Sequence, residues 1–194
     1  NTVRGFNIDG NAGNMINGIR GATGGVITDG TIENVNLFGS ILDGIYIENA
    51  AGNWNFANNS IRGNFPTNEP GGRSGINIAS SVDATGTFQF TDNNVEWWNQ
   101  DGIRLNNFDA LIVSFVDNAT ANNLGHGISL TDHNNSLGIG ATINFLDTEI
   151  AAVDSTVSTS TPTSFNNTLA GISLNNVSGD ISFINMEIRD NQQA

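Results

Sequence analysis

Apolar residues in this chain do not recur at helical spacing, since no 3.6-residue periodicity persists for three turns. They alternate with polar ones in short runs bounded by Asn, Asp and Gly. One phrase, Gly-Ile-x-aliphatic, returns along the chain. It reads Gly18-Ile19-Arg20-Gly21, Gly44-Ile45-Tyr46-Ile47, Gly75-Ile76-Asn77-Ile78, Gly102-Ile103-Arg104-Leu105, Gly127-Ile128-Ser129-Leu130 and Gly171-Ile172-Ser173-Leu174. The steps between these glycines are 26, 31, 27, 25 and 44 residues.

Two further strings fall between the phrases. The first reads Trp54-Asn55-Phe56, Phe88-Gln89-Phe90, Leu111-Ile112-Val113-Ser114-Phe115, Thr142-Ile143-Asn144-Phe145 and Ile181-Ser182-Phe183. The second, after a polar step, reads Asn34-Val35, Ser60-Ile61, Asn94-Val95, Glu149-Ile150 and Glu187-Ile188. Period-two alternation predicts a strand at each, with turns at the Asn, Asp and Gly between them.

Three short strands in about 25 residues make one turn of a parallel solenoid. The expected fold is all-β: a right-handed parallel β-helix of about six or seven coils, rising ~4.8 Å per coil. A β-sandwich would not repeat one phrase six times in register. The Gly-Gly-x-Gly-x-Asp repeats of calcium-binding rolls and the hexapeptides of left-handed solenoids are absent. Residues 1–194 read as one domain. Strand-like residues at both ends, Val3 to Ile8 and Met186 to Arg189, lead us to expect a fragment of a longer chain. Exposed final coils are open sheet edges, so flanking coils or end-to-end stacking into a filament are the expected partners there.

The repeat is interrupted twice, at Asn64–Arg73 and at Ala151–Asn167, both just before a Gly-Ile strand. One insertion belongs to the third coil and one to the sixth, so both should leave one corner and bracket a groove. Its floor would carry the outward residues Asn77, Arg104 and Ser129, and its corner Asp101 and His126. Trp97 and Trp98 precede that corner. Indole rings with a carboxylate, a guanidinium and amides suit carbohydrate, so all seven residues are candidate ligand contacts.

Charge narrows the partners. The formal net charge is −13, and all six basic residues are Arg. Such a surface repels phosphate backbones, which argues against nucleic acid. No run approaches membrane-spanning length, and with no Cys there is neither a disulfide framework nor thiol chemistry. An extracellular or cell-surface setting in a bacterium is expected, with polysaccharide or surface glycan as partner. No cofactor is expected; calcium could be held by the many Asp and Asn oxygens, although the plainer expectation is hydrogen-bonded ladders at the turns.

Gly125-His126-Gly127-Ile128-Ser129-Leu130 resembles the Gly-His-Gly segment of polygalacturonases, β-helix enzymes of the pectin lyase-like superfamily. Gln100-Asp101-Gly102-Ile103 resembles part of their acidic motifs. The resemblance implies Asp101, His126 and Arg104 as the catalytic set of a polysaccharide hydrolase or lyase. The chain departs from that pattern: the Asp-Asp position reads Asp101-Gly102, the coil above offers Ser74-Gly75, and no Lys completes an Arg-x-Lys motif. Hydrolysis with inversion needs two carboxyls about 6.5–9.5 Å apart, and only Asp101 and Asp132 can be nominated. For a lyase, Arg104 is the central base candidate, with Arg20 three coils away. The leading expectation is therefore a non-catalytic extracellular or cell-surface module serving as spacer, adhesin segment or carbohydrate-binding rod. A polysaccharide lyase or glycoside hydrolase, and a stacking filament subunit, are the alternatives.

Overall fold

A computed structural model describes residues 1–10, 15–21, 24–40, 42–63, 73–134, 136–138, 140–151 and 169–189. Among them there is no helix. The chain winds through β1 (Thr2–Arg4), β2 (Asn7–Asp9) and β3 (Ile19–Arg20), then β4 (Ile27–Glu33), β5 (Asn36–Phe38) and β6 (Ile45–Ile47). The third coil holds β7 (Ala50–Ala57), β8 (Ser60–Arg62) and β9 (Ile76–Ile78). The fourth holds β10 (Thr87–Thr91), β11 (Asn94–Glu96) and β12 (Ile103–Phe108). Next come β13 (Ile112–Val116), β14 (Ala119–Ala121) and β15 (Ile128–His133), then β16 (Ala141–Leu146), β17 (Glu149–Ala151) and β18 (Ile172–Asn175). A seventh coil adds β19 (Gly179–Ile184) and β20 (Glu187–Arg189).

Every third strand pairs in parallel with its counterpart one coil on. This gives a first sheet β1-β4-β7-β10-β13-β16-β19, a second β2-β5-β8-β11-β14-β17-β20 and a third β3-β6-β9-β12-β15-β18. The chain is thus a three-sheet parallel β-helix, with the Gly-Ile phrases on the third sheet.

The register stacks like on like. Ile45, Ile76, Ile103 and Ile128 form one inward column of the third sheet, and Ile47, Ile78, Leu105 and Leu130 the next. All eight are at most 2% exposed. Inside the first sheet Phe56, Phe90, Phe115, Phe145 and Phe183 stack with centroids 4.9–5.0 Å apart and ring planes within 6–9° of parallel. Burial of these columns is the main stabilising term, and no coil could achieve it alone.

The corners follow an equally regular rule. Between the first and second sheets one residue per coil takes a left-handed conformation: Gly5, Asn34, Asn58, Asp92, Asp117, Asp147 and Asn185, with φ between 47° and 69°. Gly, Asn and Asp tolerate that region best. The residue after it is buried in the five successive coils from Val35 to Thr148, and in three of these it is Asn. The Asn59 amide donates to Asn93 Oδ1 (2.9 Å) and the Asn93 amide to Asn118 Oδ1 (2.9 Å), while each also donates to a strand carbonyl. The ladder satisfies corner backbone that would otherwise be buried unpaired.

Of the two expected insertions, residues 64–72 and 152–167 lie outside the described residues. Ala151 is corrected from loop to strand, because it closes β17 in register with Ala121. Arg73 returns to the helix through its backbone N–H, which donates to the Leu42 carbonyl.

Candidate functional site

The entrance to the third sheet is a column of polar residues set just before the Gly-Ile phrases: Asn17, Asp43, Ser74, Asp101 and His126. Asn17 Oδ1 accepts the Asp43 N–H, Asp43 Oδ1 accepts the Ser74 N–H, and Asp101 Oδ1 accepts the His126 N–H, at 2.9–3.1 Å. The column is a coil-to-coil clamp, needed because the following glycines let the chain turn with no side chain to pack.

At His126 the clamp gains chemistry. Its Nδ1 lies 2.9 Å from the same Asp101 oxygen, and its side chain is 24% exposed against 9% for Asp101. A carboxylate oxygen accepts, so Nδ1 carries the proton and Nε2 is the nitrogen available outside that bond. Beyond this pair a groove of ≈ 410 Å³ opens over the third sheet, a volume within the range of ligand sites. Asp101, His126, Arg104, Ser129, Ser173 and Asn175 line it, together with Leu124 and Leu169. Arg104, Ser129 and Ser173 occupy one outward column on β12, β15 and β18. Arg104 Nη1 donates to Gln100 Oε1 at 3.3 Å, which turns the guanidinium toward the corner.

Four expected contacts therefore meet in one groove: Asp101, Arg104, His126 and Ser129. Three do not. Trp98 is fully buried and roofs the corner over Gly44, Gly63 and Gly75, where an added Cβ would lie 2.9–3.2 Å from the indole. Its Nε1–H donates to the Ile61 carbonyl (3.3 Å) and its backbone N–H to Asn123 Oδ1 (3.1 Å). Trp97 sits at a left-handed φ of 67°, with the Arg62 guanidinium 5.7 Å from its ring centroid, on the second-sheet side of the corner. Asn77 is buried one coil before Arg104, and its amide donates to Asp43 Oδ1 at 3.2 Å. It braces the wall instead of lining the groove. Asp132 lies at the far end of β15 and accepts from the Asn176 amide (3.0 Å).

Asp101 is the one carboxyl among the described groove residues. No group of three or more His, Cys, Asp or Glu side chains converges on a point among the described residues. Ser173 was within reach of the sequence through its phrase Gly171-Ile172-Ser173. Leu124 and Leu169 lie in irregular corner segments that carry no period.

No protein-family model, curated protein or solved structure matches this chain.

Proposed function

We propose that the chain is a non-catalytic β-helix module that binds carbohydrate in the third-sheet groove, outside the cell or at a bacterial cell surface. The supporting observation is the composition of that groove. A guanidinium, an imidazole, hydroxyls and amides stand beside two leucine side chains, a mixture that suits sugar hydroxyls and C–H faces. The single carboxyl among the described groove residues, already accepting from the backbone N–H and Nδ1 of His126, favours binding over two-carboxyl hydrolysis.

Calorimetric titration with a broad panel of neutral and acidic oligosaccharides tests the reading. Saturable binding is expected, weakened about tenfold or more in Arg104→Ala through loss of a charged hydrogen bond. Reducing-end release and unsaturated-product absorbance should stay at background. Absence of binding across the panel would sink the proposal. Product formation that disappears in His126→Ala would replace it with the enzyme reading implied by the resemblance to polygalacturonases.

A further inference from the structure

The chain has 19 acidic residues and six basic ones, so a cation without an acidic partner is unexpected. Arg4 pairs with Glu33, Arg62 pairs with Glu96, and Arg20 lies over the Tyr46 ring. Arg104 differs. It is half-buried in the groove, its guanidinium donates to the neutral Gln100 Oε1, and it forms no ion pair among the described residues. The carboxyls nearest in the fold are committed elsewhere. Asp101 accepts the backbone N–H and Nδ1 of His126. Asp43, two coils before Arg104, is buried, accepts the Ser74 N–H and the Asn77 amide, and acts on Arg104 only through space.

The groove is polarised around that guanidinium. Ser129 and Ser173 follow Arg104 in the same outward column, one coil apart at ~4.8 Å, and offer hydroxyl donors. At the corner His126 gives its Nδ1–H to Asp101, so Nε2 of the neutral ring accepts. One side therefore suits an oxyanion and the other a sugar hydroxyl. A guanidinium meeting a carboxylate or sulfate forms charge-assisted hydrogen bonds, about twice as strong as neutral ones. A wholly neutral sugar would cover part of the guanidinium and give it no countercharge.

Net charge limits how many oxyanions the ligand can carry. At −13 the chain repels a polymer charged at every residue, and attraction to one guanidinium fades over a screening length of ~8–10 Å. A ligand whose charges are separated by neutral sugars keeps the attraction and avoids most of the repulsion.

We propose that the groove selects a mostly neutral glycan carrying isolated oxyanions, carboxylate or sulfate ester, with one oxyanion seated against Arg104 and Ser129. This rests on the groove being a sugar site, and names the class of sugar it takes.

The test is calorimetric titration with matched short oligosaccharides on glucose and galactose backbones: one with a single uronate, its carboxyl-reduced form, a monosulfated form of that neutral chain, and an all-uronate chain of equal length. At least one singly charged form is expected to bind about tenfold or more tighter than the neutral chain. The carboxylate and sulfate arms show which oxyanion is held. In Arg104→Gln the ratio of charged to neutral affinity should fall to about twofold or less. Unchanged circular dichroism would show that this outward variant folds. Equal binding of charged and neutral chains overturns the proposal and leaves the sugar site standing. A preference that survives in Arg104→Gln, or tighter binding of the all-uronate chain than of the single-uronate one, also overturns it. Binding by none of the four overturns it together with the sugar site.

Discussion

Asp43 and Asn17 occupy equivalent positions one coil apart, and each accepts the backbone N–H of the next coil. Asp43 does so as a buried carboxyl, and desolvation pushes its pKa up; the Ser74 N–H, the Asn77 amide, Arg73 and Arg104 offset this in part. A carboxyl raised in the fold favours the folded state while protonated and loses that advantage as pH rises through its folded value. Asp43→Asn should keep the clamp, as Asn17 does, without the buried charge. We expect a higher melting temperature than wild type at neutral pH, with the gain shrinking as pH falls toward the ordinary carboxyl value of 3.8. Melting curves across pH check this; a difference independent of pH would contradict it. Thr120 makes a related case. It sits between Val95 and Ile150 in an inward column, and its buried Oγ1 has no hydrogen-bond partner. Thr120→Val should stabilise the protein by about 1 kcal/mol in urea unfolding.

At the scale of strands and corners, the asparagine ladder and the phenylalanine ladder share the work of joining coils. Removing one rung exposes their difference. Asn93→Ala strands the Asn59 and Asn118 side chains and the Phe56 carbonyl in a dry corner, and should cost on the order of 3 kcal/mol. Asn94→Ala, one residue on and exposed, should cost about 0.5 kcal/mol or less. Equal losses in denaturant unfolding would remove the ladder from the account. The strands were legible in the sequence because period-two alternation is a direct imprint of one buried face, and the Gly-Ile phrase marks where the third sheet begins. The corners were less so. Alternation along β11 ends at Glu96, and the left-handed turn at Trp97 resets the phase, so the pattern could not say which of two adjacent tryptophans faces inward. The glycines that make room for Trp98 come from three other stretches of chain, and only the folded register brings them together.

For the whole molecule, a stiff stack of coils presents different chemistry on different sides. The third sheet offers a groove with the Arg104 guanidinium and a His-Asp pair, and the first sheet four strands, β7, β10, β13 and β16, without a charged residue. Asp101, Arg104, His126 and Ser129 could be gathered from the sequence because the repeat aligns them. The groove's leucines emerge only once the coils are stacked. We propose that soluble sugar binds at the third-sheet corner. Amide chemical-shift mapping during titration with the tightest-binding soluble oligosaccharide tests it most directly. We predict shifts confined to Leu124–His126 and the outward positions of β12, β15 and β18. Shifts centred on β7, β10 and β13, or none at saturating sugar, would contradict it.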